Sequence, residues 1–571
     1  MLRPSRLPEP RCSSCPVRTA LVRTDMRPLS TPDVPRYNRG VASDIPAQLN
    51  IAGEFVSRPA RAHPERVAIL GEPRPFTYRG VEEAVNRAAN VLRDWGCQPG
   101  DRVLIVLPDS IDFIAAFFGA AKIGAIAVPV NSMARASDYA YYLNDTGARI
   151  AIVHKSVYSE CLIGPWPPAL RLAAVAGECA SETADRERSM MEIFAARTTV
   201  SWEEQCERAS TECAAHPTEA SDPAFFLYTS GSGGTPKAAI HRHADMIYTS
   251  RNYAQSVLGL RPEDRTYSVS KLFFAYGLGN GMYFPFSVGA GTILDPSRPK
   301  PERTAEILVR FRPTVLFSVP TFFAALLREA ERGLQLDCSS LRMAVSAGEA
   351  LPAEIFEQFK KKFGVEILDA IGSTEMLHMF LASRPGGARA GSCGTEVPGC
   401  DAKIVDEHEN EVAANEIGNL WVRGGAAFAG YWNKSELTSQ TKRGDWVVTG
   451  DKFTKDADGF FHYCGRADDM MKVAGMWVSP GEVENALLGH PQIAEVAVVA
   501  RANENGLLHP VAYVVLKNAN ENRDGLEKQI REWLRKKIVS FKCPQEIHFV
   551  ENLPKTATGK IQRFRLRTVT D

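Results

Sequence analysis

Residues 225–243 read FFLYTSGSGGTPKAAIHRH, and the reading of this stretch decides the fold. The apolar run Phe225, Phe226, Leu227 and Tyr228 predicts a buried strand. The chain then passes through Thr229, Ser230, Gly231, Ser232, Gly233, Gly234, Thr235 and Pro236 to Lys237, and a helix is expected from Ala238. Glycines let a backbone turn tightly and approach a ligand without Cβ clashes. Successive N–H groups in such a turn form an anion nest. The four hydroxyls and the Lys237 ammonium add donors of the kind a polyphosphate accepts. The loop is not a Walker motif, because Pro236 separates Thr235 from Lys237 and Ala238 follows the lysine where Ser or Thr is required. A plain Gly/Ser linker would have the same composition, but here a strand precedes the loop and a lysine closes it.

Working outward, the chain alternates strands with helices on the N-terminal side. A helix runs through Val81, Ala84, Ala88 and Val91, followed by a strand at 103–107, a helix at 111–122, a strand to Val130, a helix near 137–144 and a strand at 150–153. Alternation of this kind predicts a mostly parallel sheet covered on both faces. The apolar run 111–130 is interrupted by Asp112, Lys122 and Pro129, so it reads as a buried helix and strand and not as a membrane span. Residues 156–218 are polar and weakly patterned and read as a surface excursion. Residues 391–465 carry short alternating strands with Gly/Asn turns, which predicts a small β-barrel or sheet. The last 105 or so residues read as a compact α+β domain.

With 571 residues, 44% apolar and 23% charged, the chain is a multidomain globular protein. Lys and Arg total 67, as do Asp and Glu, so no global field points to nucleic acid or to a membrane. Twelve scattered cysteines read as reduced thiols, and Cys12 and Cys15 lack a second pair to complete a zinc site. Residues 1–44 hold eight Arg, no Lys and seven Pro. They read as a disordered or targeting-like extension outside the fold.

TSGSGGTPK followed by two histidines resembles the phosphate loop of the acyl-adenylate-forming superfamily, which includes acyl-CoA synthetases, adenylation domains and luciferases. Family loops usually carry Thr at Gly233 and Gly at Ala238. Further segments match in order. Ser346-Ala347-Gly348-Glu349 with Asp369-Ala370-Ile371-Gly372 implies an adenine enclosure, and Ser373-Thr374-Glu375 supplies a hydroxyl and a carboxylate, with Glu375 suited to Mg²⁺. Asp451 matches the aspartate that accepts the ribose hydroxyls. In Gly465-Arg466-Ala467-Asp468 the arginine meets the ribose and Asp468 is the hinge, while Lys472 and Gly475 belong to the cofactor-binding set along the path of the CoA arm. PKTATGKIQR at 554–563 matches the terminal motif, whose lysine, Lys560, grips the carboxylate and α-phosphate.

KLFFAYGLGN at 271–280 resembles the benzoate–CoA ligase branch more closely than fatty-acid ligases. By that resemblance Ala275, Tyr276 and Gly277 border an aryl group, together with Ile371 and with His378, placed one helical turn after Glu375. The resemblance implies a large adenylate-forming α/β domain at 45–465, built of two parallel-type sheets with helices and a small β-barrel. A small mobile α+β domain follows at 466–571. It implies a cytoplasmic ligase, monomeric or homodimeric, using ATP, Mg²⁺ and coenzyme A on an aromatic carboxylic acid. Ala275 and Ile371 carry no ring-directed polar group, which favours benzoate over hydroxy- or aminobenzoates. Two rival readings are a carrier-protein-loading adenylating enzyme and a binding protein that has lost catalysis.

Overall fold

The computed structural model describes residues 45–71, 74–162, 166–177, 198–230, 235–467, 469–473, 476–502, 508–518, 525–555 and 561–567. The extension 1–44, with the Cys12/Cys15 pair, and residues 231–234, 468, 475 and 560 lie outside them.

The strand predicted at the head of the loop is β1 (Pro223–Ser230). Its burial on both faces explains its unbroken apolar sequence: Phe225 and Leu227 enter one core and Phe226 enters another. The helix expected at Ala238 is instead a second strand, β2 (Pro236–Arg242), paired antiparallel with β1 in the register Tyr228↔Ala238, Leu227↔Ala239, Phe226↔Ile240. Ala238 and Ala239 favour helix by intrinsic propensity. Here each occupies a strand position facing a different core, and the pairing of the hairpin outweighs the local preference. The helix starts one strand later, as α1 (His243–Thr249), where Asp245 Oδ2 accepts from the Arg242 N–H at 3.0 Å.

The hairpin forms one edge of a seven-stranded sheet, parallel except at that edge. Its strands include Arg102–Val106, Ile126–Pro129 and Ile150–His154, close to their expected spans. Residues 156–218 are more than a surface excursion, since Leu172–Ala176 and Thr198–Ser201 add two strands to the far edge. The helix Ile111–Lys122 is buried almost throughout. Lys122 itself reaches Asn86 Oδ1 and Ser57 Oγ, and burial lowers its pKa. Among the described residues no helix is long and apolar enough to cross a membrane.

A second, nine-stranded sheet carries the other side of the site. Before its central strands comes α2 (Ala275–Leu278), which continues into a π-helical turn at Gly279–Tyr283. The central strands β3 (Val315–Ser318), β4 (Met343–Ser346) and β5 (Ile367–Gly372) run parallel, in the register Ser318↔Ser346↔Asp369. Strand Met379–Ala382 then reverses direction beside β5.

Residues 401–466 form a five-stranded antiparallel sheet. Beyond it lie the two-stranded ribbon Met471–Val473/Met476–Val478 and a three-stranded sheet with its own core around Val483, Val498, Val514 and Ile530.

Phe225 is fully buried, 5.5 Å from the Phe117 ring and stacked on His241 at 5.3 Å. Phe225→Ala should cost about 3–5 kcal/mol, read as a lowered midpoint of urea denaturation. A shift below 1 kcal/mol would show that the hairpin is not anchored through this ring.

Candidate active site

At the open end of the hairpin, Thr229 pairs with Lys237 and Ser230 with Pro236, so the chain on either side of the loop is fixed by strand register. The loop is therefore a hairpin tip and not the N-terminus of a helix. A helix dipole is therefore not available to the phosphate-loop role expected of this stretch. Tyr141 Oη donates to the Pro236 carbonyl (2.8 Å) and Tyr228 Oη to Asp145 (2.6 Å), which secures the hairpin from the neighbouring helix Ala136–Thr146.

Strand β2 also positions the Ser373-Thr374-Glu375 turn. His241 Nε2 donates to the Thr374 carbonyl at 2.8 Å, and its Nδ1 lies 3.2 Å from Asp245 Oδ2. Burial alone would lift Asp245, but Arg242 and His241 together hold it below the usual carboxylate range. The Glu375 carbonyl accepts from the Phe428 N–H (2.7 Å). Ser373 Oγ caps the turn by accepting from the Met376 N–H (3.3 Å). The Glu375 side chain accepts from Tyr431 Oη at 2.6 Å, and Tyr431 Oη in turn accepts from Lys237 Nζ at 2.6 Å. Lys237 and Glu375, 138 positions apart in sequence, thus lie 3.5 Å from one another.

Glu375 offers a hard oxygen in a half-buried position, which fits Mg²⁺ held by one carboxylate plus substrate phosphates. Among the described residues no group of three or more His, Cys, Asp and Glu side chains could hold a metal.

The nucleotide-facing candidates fall at the carboxyl ends of parallel strands, where ligands bind in open α/β sheets. Gly348 turns with φ +89° just past β4, beside the half-buried Glu349. Ser318 Oγ, Ser346 Oγ and Asp369 Oδ1 are buried, lie in register across β3–β5, and have no hydrogen-bond partner among the described residues. Burial lifts Asp369 to about 8, against smaller lowering contributions from Cys393 and the Ala370 N–H. A neutral carboxyl presents one donor and one acceptor, which suits the amino–imine edge of a purine. Asp451 lies within the strand Trp446–Lys455 and not at an exposed turn. There it pairs with Arg466 at 3.1 Å across strand register, so the two predicted ribose residues are neighbours.

The predicted aryl wall differs in detail from its reading. Ala275 and Tyr276 open α2 half-buried, and Tyr276 Oη reaches the Ser318 and Val345 carbonyls (3.2 and 3.1 Å). Gly277 is buried, and a Cβ there would sit 2.1 Å from the Lys271 carbonyl oxygen, so close backbone approach requires glycine. His378 is not one helical turn from Glu375: the turn Thr374–Met376 is 3₁₀, and Leu377 breaks it with φ +63°. The His378 ring is enclosed by Tyr253, Tyr276 and Phe284 and by Gly279, with Nε2 3.4 Å from the Tyr276 carbonyl. Burial drives its pKa down to about 3, so the ring is neutral. Ile371 is half-buried on β5, where it pairs with Leu381 of the strand Met379–Ala382.

The structure brings together Lys237, Thr374 and Glu375, and separately Asp451 and Arg466. It adds Tyr431, His241 and Asp245, which sequence reasoning did not assign. The two histidines were visible in sequence, but nothing in the pattern tied His241 to a carbonyl 133 residues away. Lys472 lies on the strand Met471–Val473, whereas Asp468, Gly475 and Lys560 fall outside the described residues.

The chain matches the AMP-binding enzyme family over residues 56–432 and the AMP-binding enzyme C-terminal domain over residues 482–560. It belongs to the acyl-adenylate-forming superfamily, the class that its α/β architecture and site define. Within that class it belongs to the benzoate–CoA ligase branch. It is 38% identical to the benzoate–CoA ligase of Thauera aromatica over 93% of this chain and 98% of that one. It is 35% identical to the 4-hydroxybenzoate–CoA/benzoate–CoA ligase of Rhodopseudomonas palustris, over 91% and 94% of the two chains. Its fold is similar to the crystal structure of an anthranilate CoA ligase in complex with anthranoyl-AMP, with a TM-score of 0.85 and 37% identity over 92% and 98% of the chains.

Asp369 gives a pH test. Its folded pKa is raised above the unfolded value of about 4, so between pH 4 and 8 the folded state holds a proton that the unfolded state has lost. Stability therefore falls as pH rises through that window, by up to about 1.4 kcal/mol per pH unit from this group. Asp369→Asn should flatten the decline in melting temperature between pH 5 and 8 relative to the parent. Parallel profiles would show that Asp369 is ionised in the folded state.

Proposed function

We propose that the protein is an ATP-dependent aryl acid–CoA ligase of the AMP-forming type, acting on benzoate or a hydroxy- or aminobenzoate. The observation that carries the reading is the meeting of Lys237 from the loop with Glu375 from the Ser-Thr-Glu turn, 3.5 Å apart at the head of the β1–β2 hairpin. Around that point the five family motifs occur in order along a chain that spans nearly the whole of a benzoate–CoA ligase. Names among the relatives include benzoate, 4-hydroxybenzoate and anthranilate, all flat aryl acids.

In the first half-reaction a carboxylate oxygen of the acid attacks the α-phosphorus of ATP, the bond to pyrophosphate breaks, and an acyl-adenylate forms. Lys237, the loop hydroxyls and Lys560 stabilise the charge that develops. Glu375 would hold Mg²⁺, which when bound would supply neutralisation of phosphate charge. Asp451 and Arg466 hold the ribose, and Gly348, Glu349 and Asp369 the adenine. His378, neutral and fixed among aromatic rings, supplies an apolar wall with Ala275, Tyr276, Gly277 and Ile371. In the second half-reaction the C-terminal domain, residues 466–571, turns about Asp468 relative to residues 45–465. The CoA thiolate, guided past Lys472 and Gly475, then attacks the acyl carbonyl, and AMP leaves. One site that serves two chemistries is expected to change conformation between them. The enzyme is read as cytoplasmic.

AMP release from ATP, Mg²⁺ and benzoate, with and without CoA, is the first test. CoA-dependent AMP with a thioester product is expected; no AMP with benzoate or any substituted benzoate would refute the aryl assignment. Lys560→Ala should abolish adenylation, by about 10²-fold or more, yet spare thioester formation from supplied benzoyl-AMP. Equal loss of both half-reactions would remove its assigned role.

A further inference from the structure

Tyr431 belongs to none of the motifs that the sequence singles out, yet its hydroxyl stands between the two charged groups on which the site depends. The ring is 4% exposed and packs against Phe428 with centroids 4.7 Å apart. Its backbone is fixed twice over. Tyr431 pairs with Ala239 of β2, and its N–H donates to Thr438 Oγ1 at 2.9 Å. The flanking Trp432 N–H donates to the Ala238 carbonyl, and the Ile240 N–H donates to the Gly430 carbonyl. The hydroxyl is therefore placed by the same strand that carries Lys237.

A phenol has one proton and two lone pairs. Tyr431 spends the proton on Glu375 Oε1 and accepts from Lys237 Nζ, each at 2.6 Å. Lys237 and Glu375 side chains are 16% and 14% exposed. A lysine left to itself samples many rotamers, and fixing it costs up to about 2 kcal/mol. Here that cost is met within the fold. The ammonium keeps donors for a further oxygen, because at most two of its three N–H bonds are engaged by this triad. Tyr431 Oη and Lys237 Nζ both approach Glu375 through Oε1.

We propose that Tyr431 is a positioning residue for nucleotide activation: its hydroxyl sets the spacing and direction of Lys237 and Glu375, so that a triphosphate and its divalent cation meet both groups already in place. The inference rests on the reading of Lys237 as a phosphate ligand and Glu375 as a metal ligand. It predicts coupling between metal and nucleotide through a side chain that touches neither.

The test is Tyr431→Phe, which keeps the ring and deletes only the bridging oxygen. Calorimetric titration with ATP at several Mg²⁺ concentrations should show affinity weakened about 10–150-fold, the loss expected for a hydrogen bond to a charged group. The Mg²⁺ concentration for half-maximal ATP binding should rise as well. KM for the aryl acid, thioester formation from supplied benzoyl-AMP and the melting temperature should stay near the parent's. Lys237→Ala combined with Tyr431→Phe should bind ATP no more than about two-fold worse than Lys237→Ala alone, because the two act as one unit. Unchanged ATP and Mg²⁺ binding in Tyr431→Phe, or fully additive losses in the double variant, would overturn the proposal. A fall of all steps together with the melting temperature would overturn it in favour of a purely structural tyrosine. A parent protein that binds ATP and Mg²⁺ but releases no AMP with any aryl acid would refute the aryl-ligase reading alone. Failure of the parent to bind ATP at all would refute both.

Discussion

The β1–β2 hairpin is the constraint on which the site depends. Strand β2 is used on both sides: one edge pairs with β1, and residues 238–240 also exchange backbone hydrogen bonds with the segment around Gly430–Trp432. One short strand thereby fixes Lys237 at the mouth of the loop, His241 under Thr374, and Tyr431 beside Glu375. Backbone register is stiff in a way that long charged side chains are not. Groups from three distant parts of the chain are thus held within hydrogen-bonding distance without relying on surface ion pairs, which contribute little.

The second sheet supplies the other half of the site by a different physical route. The parallel pairing of β3, β4 and β5 reaches Ser318, Ser346 and Asp369, which leave buried hydroxyl and carboxyl groups side by side in register. Buried polar atoms without partners are costly unless a ligand satisfies them. Their concentration at the carboxyl ends of these strands is a chemical signature of a binding edge. Asp369 adds a neutral carboxyl because burial disfavours its charged form. His378 is neutral for the same reason.

Glycine serves two different purposes across the site. At Gly348 the backbone takes a positive φ that other residues resist, which turns the chain past the end of β4. At Gly277 the demand is space, since the carbonyl of Lys271 occupies the position a side chain would need. The resemblance placed Gly277 at the border of an aryl group. The structure shows that Gly277 and Gly279 let α2 and His378 pack against the surrounding backbone and rings. The wall is built by close packing, and its chemistry is that of the aromatic groups it brings together.

Local sequence determined a good deal. The apolar run before the loop, the alternation of strands and helices, the buried helix Ile111–Lys122 and the short strands after residue 400 were legible because each reflects a period or a run of neighbouring residues. The motifs at 229–237, 373–375, 451 and 466 were legible because their chemistry lies in adjacent residues. Tertiary structure alone decided the rest. Ala238–Ile240 became a strand because β1 was there to pair with it, and residues 172–176 and 198–201 became strands because a sheet edge was open to them. Tyr431 and His241 became part of the site because pairing of β2 carried them to Glu375 and Thr374, contacts spanning 56 and 133 residues of chain. Periodicity records how a segment meets its own neighbours in sequence. Which distant segment it will meet is set by the register of strands, and no local pattern encodes that.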